Sequence, residues 1–255
     1  TEGLTDNNHR VFTKSGWAII RDSIDENVAF DQTLHLVLKS GFLSTYHRQD
    51  DDTHFVLFAQ GSEWLIDGGM YNYQENDPKR VFVRSAQSHN LVVLPGVSIH
   101  RNPELGRNSS GVEELSDENS VRIRAYTEMY EGFKIERMIE RVEATKFIIH
   151  DRIEAKDSEV KIPQGSHVRF HFPVHFEIQV INSQSAVVTR KDGCRMILSC
   201  LKGVRGISHH VGAVGGEIQS WRSTQYGSGE DAQVLCFELE IPSGMSQICL
   251  ELEGV

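Results

Sequence analysis

The chain has 255 residues, 39% hydrophobic and 24% charged, with 36 acidic against 26 basic side chains and a net charge of −10. That length supports one large β domain or two small ones with a substantial core, and the charged fraction is that of a folded globular domain, which excludes wholesale disorder. Nucleic acid is excluded as a partner, because phosphate binding draws on clustered Lys and Arg, and no apolar run approaches the roughly 20 residues of a bilayer-spanning helix.

The opening residues, TEGLTDNNHR, are too polar for a signal peptide, and with no initial Met the chain is expected to be a processed or truncated piece. From there the prevailing pattern is period two in short runs bounded by Gly, Asn, Asp or Ser, the mark of antiparallel strands with one buried face. The predicted strands are 16–21, 32–41, 53–60, 63–69, 88–96, 120–130, 133–155 with a turn at Ala144–Lys146, 167–181, 185–190, 194–201 and 232–242. Helical periodicity is nearly absent. The expectation is an all-β fold of stacked antiparallel sheets, a β-sandwich spanning 1–255 as a single domain.

Residues 97–119 are polar and rich in Gly, Ser and Asn, and read as a long excursion or lid inside that domain. Cys194, Cys200, Cys236 and Cys249 lie in strand-like runs with no CxxC spacing, which favours buried free thiols over zinc ligands. Gly61 and Ser62 separate two apolar runs and are expected to form a two-residue hairpin turn. That register pairs Phe58 with Leu65 and Val56 with Asp67, setting Asp67 on the face that carries His54, Val56 and Phe58.

The stretch 46–90 differs from the rest by its His, Asp, Tyr and Arg residues at the ends of apolar strands. A carboxylate closing an apolar face, as Asp67 does, needs a partner, which is a metal ion, a His or an Arg. His89 closes a neighbouring run, and the pair suits Zn²⁺ or a similar divalent ion, although spacing alone favours a salt-bridged or hydrogen-bonded core network. His54, His167, His171 and His175 alternate with apolar residues and read as ordinary strand histidines. Trp64 and Trp221 read as core aromatics.

The same stretch resembles the β domain of the heparinase II/III-like polysaccharide lyases, a family that also includes alginate and oligoalginate lyases. The match runs through His47 and Asp51, the hairpin from Phe55 to Ile66, then Asp67, Gly69, Tyr71, Tyr73, Arg84, Ser85, His89 and Asn90. The resemblance implies a metal held by Gln49, Asp67 and His89, with Gln49 standing where the family has a second His. Amide oxygen is a poorer zinc ligand than imidazole, and the run Asp50–Asp52 raises Ca²⁺ as a second choice, beside its reading as a solvated turn. It further implies a uronate-containing polysaccharide as substrate, a periplasmic or secreted location, and an α/α toroid of helices ahead of the β domain. No such helices occur in these 255 residues.

For a lyase of this kind, cleavage by β-elimination needs a proton removed beside a carboxylate and another delivered to the departing oxygen. His47 is the expected acid or base, with Tyr71 assisting proton transfer and Arg84 pairing the uronate carboxylate through its two-pronged guanidinium. Tyr73 and Asn90 are the expected sugar-binding residues. Tyr71 and Tyr73 alternate with Asn72 and are expected to face the same side. Lys79, Arg80 and Arg84 are the local basic residues, which suits a modestly charged substrate better than a heavily sulfated one. The rival readings are a non-catalytic carbohydrate-binding or structural module and a metal-dependent hydrolase.

Overall fold

The structure is a computed structural model that describes residues 9–22, 25–101, 108–117 and 120–254. In chain order its first strands are β1 (His9–Phe12), β2 (Trp17–Arg21), β3 (His35–Lys39), β4 (His54–Ala59) and β5 (Ser62–Leu65), followed by the helix α1 (Pro78–Arg84) and β6 (Val92–Val93). Then come β7 (Ser110–Glu114), β8 (Val121–Thr127), β9 (Phe133–Glu143), β10 (Lys146–Ala155), β11 (His167–Pro173), β12 (Glu177–Asn182), β13 (Ser185–Thr189) and β14 (Arg195–Lys202). The last are β15 (Val204–Val211), β16 (Ala213–Val214), β17 (Glu217–Ile218), β18 (Trp221–Gln225), β19 (Ser228–Leu239) and β20 (Met245–Glu253).

Strands β1 to β5 form one sheet in sequence order. A second, eight-stranded sheet runs β12-β13-β14-β20-β10-β9-β8-β7, and a third runs β15-β19-β11-β6, with β18 also paired to β19. Strands β16 and β17 make a separate pair. One buried cluster draws on the three large sheets: Leu36 and Phe55 from the first, Ile139 and Phe147 from the second, Phe170 and Phe237 from the third. Phe170 meets Phe237 edge-on at 5.5 Å and Phe55 at 6.2 Å, so the sheets stack on a shared core. Truncating any of these rings to Ala removes about 3–5 kcal/mol of packing.

The alternation in β9 and β10 explains how they sit. Phe133, Ile135 and Ile139 face inward from β9, and Phe147, Ile149 and Ile153 from β10. Two charged residues, Arg137 and Asp151, occupy inward positions of the same pattern and lie directly opposite one another.

Several expectations need correcting. The β4–β5 hairpin turns at Gln60 and Gly61, both with positive φ (+55° and +71°), and joins Ala59 to Ser62. Its register pairs Leu57 with Leu65 and slips one residue beyond, where the Gly61–Ser62 turn would have paired Phe58 with Leu65. The run 167–181 is two strands in two different sheets, because Pro173 offers no N–H to the ladder and a turn follows, Phe176 N–H donating to Pro173 O at 3.3 Å. Residues 78–84, unassigned in the sequence reading, form a helix capped by Asp77, whose carboxylate accepts from Lys79 N–H at 2.8 Å and Arg80 N–H at 3.3 Å. The proposed excursion carries β7, and 102–107 and 118–119 within it lie outside the described residues. All four cysteines are free, Cys236 and Cys249 buried, Cys194 and Cys200 partly so. No helix among the described residues is long and apolar enough to cross a membrane.

Candidate active site

The cluster forms where the first sheet meets the third. His54 begins β4, Asp67 follows β5, and His89 precedes β6. Beyond β5 the chain is tied across to β11 by Ile66 N–H donating to His171 O at 3.0 Å, which brings Asp67 to the sheet junction. There His89 Nδ1 donates to Asp67 Oδ2 at 2.9 Å, and His54 Nε2 stands 3.1 Å from the same oxygen. The other carboxylate oxygen accepts from Gly69 N–H at 2.5 Å.

Charge is divided unevenly among the three. Burial favours the neutral form of both imidazoles, and for His54 it prevails, lowering its pKa despite Asp67. For His89 burial acts in the same sense, but the charge and hydrogen bond of Asp67 outweigh it and raise the pKa. Asp67 is pushed upward by burial, yet the two imidazoles hold it well below the ordinary carboxylate range. Its side chain lies deep among protein atoms but opens on a cavity, so solvent reaches it.

The ligand atoms of His54, Asp67 and His89 all lie within 4.8 Å of one another, a spacing that could hold a metal ion. Protonation is the obstacle. The backbone N–H of Asn90 donates to His54 Nδ1 at 2.8 Å, so the proton of the neutral ring sits on Nε2, the atom facing Asp67. A metal-bound imidazole normally donates its second nitrogen's proton outward, and here that nitrogen is an acceptor. As held, His54 offers an ion an N–H, and the cluster does not fit a three-ligand centre. Asp67 and His89 alone fall two short of a four-coordinate zinc site.

His47, Gln49, Lys39, Trp17, His54 and Asp67 are among the residues that line one cavity of about 290 Å³. His47 is in the left-handed backbone region (φ +57°), where non-glycine residues are rare and concentrate at functional sites. Its ring meets Tyr73 edge-on at 5.4 Å. Gln49, expected as a ligand, donates its amide N–H to Gly69 O at 3.0 Å, and His54 takes the third place beside Asp67 and His89. Arg84 donates to the carbonyl of Arg48, next to His47, through Nε and Nη2 at 3.4 Å each.

Tyr71 and Tyr73 do not share a side. Tyr71 packs edge-on against Trp221 at 5.0 Å, beside Phe82 and Val83, while Tyr73 is exposed and reaches His47 and Tyr226. Asn90 also departs from its expected place on a sugar-binding surface. It is fully buried, its amide N–H groups donate to Phe55 O (2.8 Å) and Ile66 O (3.0 Å), and its Oδ1 accepts from His171 N–H (2.6 Å). These bonds fasten β4, the end of β5 and β11 to one another.

The three adjacent aspartates are spent on cations: Asp50 on Arg101, Asp51 on Lys39 and Asp52 on Arg48. Neither a solvated turn nor a Ca²⁺ site describes them. Sequence reasoning ranked His54 with the ordinary strand histidines; its signal was its place on the face assigned to Asp67. It missed Arg137 altogether. That guanidinium pairs Asp151 through two bonds, Nε at 2.7 Å and Nη2 at 3.0 Å, while Nη1 donates to Thr53 O (3.1 Å) and Asn90 O (2.5 Å). One nitrogen thus pins the residue before His54 and the residue after His89. Thr53 is β-branched with φ +70°, a costly conformation that this anchor helps to hold.

Three stacked antiparallel sheets that bring a His/Asp/His cluster to the wall of an open cavity define the architecture of this β domain. The model of the heparinase II/III-like C-terminal domain matches residues 5–244, and the chain belongs to that family. Among solved structures it is similar to a heparinase III, with a TM-score of 0.76 at 20% identity, covering 98% of this chain and 36% of that one. A heparan sulfate lyase, HepC from Pedobacter heparinus, aligns with a TM-score of 0.75 at 14% identity over 98% of this chain and 37% of that one. The chain therefore spans little more than a third of the length of these solved lyases. No curated protein matches it in sequence.

Proposed function

We propose that this chain is the β-sheet domain of a polysaccharide lyase that cleaves a uronate-containing polysaccharide by β-elimination, in the periplasm or outside the cell. The observation that carries the reading is the meeting of His47 with Asp67 and His54 on one open cavity, with His89 bonded behind Asp67. Family membership supports it.

In this reading a base takes the proton from the carbon beside the carboxylate. The electron pair forms a carbon–carbon double bond, the neighbouring glycosidic C–O bond breaks, and the departing oxygen is protonated. His47 is the proton-transfer group: it is the imidazole that lines the cavity without a partner in the His54–Asp67–His89 cluster. Asp67, His54 and His89 hold a fixed charge pattern beneath it. Tyr73 orients sugar with its exposed ring, and Arg84 neutralises the uronate carboxylate. The helical portion expected from the resemblance would complete the cleft.

The test follows the ultraviolet absorbance of unsaturated uronate when protein that includes the helical portion meets alginate, hyaluronan, heparan and exopolysaccharide. At least one polymer releases the chromophore, and His47→Ala lowers the rate 10²-fold or more, about the usual worth of a general acid or base. Absence of the chromophore with every polymer, or an unchanged rate in His47→Ala, overturns the reading. Polymer binding without turnover, retained in His47→Ala, identifies a non-catalytic module instead.

A further inference from the structure

Arg80 and Arg84 stand four residues apart on α1, a spacing that places both on one face of the helix, where like charges repel. Arg80 is 7% exposed, seated shallowly under the surface. Among the described residues neither guanidinium pairs with a carboxylate. Arg84 reaches only the Arg48 carbonyl, and Arg80 lies over the Tyr73 ring at 5.9 Å. The neighbouring arginines are different: Arg48 is paired with Asp52 and Arg101 with Asp50. The chain has carboxylates here and spends them elsewhere.

The third local cation is also turned away. Lys79 Nζ lies over Trp221 at 4.7 Å and Tyr71 at 5.9 Å, so the basic group seen in the sequence splits into a stacked lysine and two unpaired arginines. A shielded cation without a counter-ion is unfavourable, and two on one helix face more so; the missing negative charge is then expected from outside the chain. The position suits that role. Tyr73 touches Arg80 on one side and His47 on the other, and Arg84 holds the carbonyl next to His47.

We propose that Arg80 and Arg84 form a single oxyanion-binding subsite beside His47, which grips a carboxylate or sulfate group of the polysaccharide. The proposal rests on the reading that a polysaccharide binds at His47, and it adds Arg80 to the recognition assigned above to Arg84. Guanidinium suits the task better than ammonium, because its planar fork matches two oxygens at once.

The 255-residue chain is titrated separately with sodium glucuronate and sodium sulfate, following the arginine Nε–Hε resonances by NMR and the heat by calorimetry. The Arg80 and Arg84 resonances shift saturably, and the two anions compete; the tighter one tells whether carboxylate or sulfate is the natural group. Arg80→Met, which keeps the packing on Tyr73 but loses the charge, weakens binding at least 10-fold, and Arg80→Lys weakens it less. If Arg80→Met binds like the parent, Arg80 is a packing residue and the proposal fails. Should that variant misfold by circular dichroism, the parent's own resonances decide, and no saturable shift overturns the subsite. Anion binding without turnover of any polymer removes the lyase reading alone; turnover without anion binding removes the subsite alone.

Discussion

Arg137→Met asks whether a buried ion pair holds the two imidazoles in place. The substitution keeps an unbranched side chain but leaves Asp151, 3% exposed, as an uncompensated charge, and breaking a buried pair from one side costs about 3–5 kcal/mol. It also removes the donor to the carbonyls of Thr53 and Asn90, about 1 kcal/mol for each bond. The expected loss is about 5–7 kcal/mol, a large part of the roughly 5–15 kcal/mol that a domain possesses. Asp151→Leu alone costs a little less, since Arg137 keeps its two carbonyls. The double variant Arg137→Met/Asp151→Leu replaces both charges with apolar groups, which is close to neutral for the pair itself, and costs about 2 kcal/mol. Urea unfolding of the four proteins gives a coupling energy of about 6 kcal/mol or more between the two positions. Single variants within about 1 kcal/mol of the parent, or a double variant as costly as the two singles together, would refute the account of this pair as the anchor of the cluster.

Further predictions concern the cluster and its surroundings. In a zinc titration, His89→Ala removes whatever binding the parent shows while His54→Ala leaves it within about 3-fold; calorimetry checks this, and equal losses would show that His54 abandons Asn90 to ligate the ion. Asn90→Ala strands two carbonyls and the His171 N–H, and lowers unfolding stability by about 3 kcal/mol or more in urea; a cost under about 1 kcal/mol would contradict the fastening role. Burial and the nearby Arg169 lower the His167 pKa to about 4 from the ordinary 6.5. Because the folded pKa is the lower one, the unfolded chain binds more protons between these values, so this contribution is complete above about pH 6.5 and is lost as pH falls toward 4. It is worth about 3 kcal/mol at most, and His167→Gln flattens that part of the stability–pH curve; an unchanged slope would contradict the assignment.

Legibility in the sequence followed exposure of the strand faces. Runs such as FKIERMIERVE alternate cleanly because one face meets the core and the other water, and their strands were evident. The strand β20, MSQICLELE, is legible only as a strand-like setting for Cys249, because Ile248, Cys249 and Leu250 are buried in succession and blur the alternation. The edge strands β1, β15 and β18 were missed for the opposite reason, having too few inward apolar positions. In the site, Asp67 and His89 stood out because a charge at the end of an apolar run demands a partner. His54 did not, since one imidazole on a strand is ordinary, and a one-residue slip in a hairpin is decided by turn conformation that composition does not fix. Arg137 and Asp151 are 14 positions apart, and each interrupts an apolar face; pairing β9 with β10 in register would have set them opposite one another.

The most direct test of the central claim is to cleave a uronate polysaccharide in oxygen-labelled water, with protein that carries the helical portion, and to weigh the fragments. Elimination moves protons without adding water, so the account predicts fragments that end in an unsaturated uronate and carry no label. One labelled oxygen per cut, with no double bond, would show hydrolysis and contradict it.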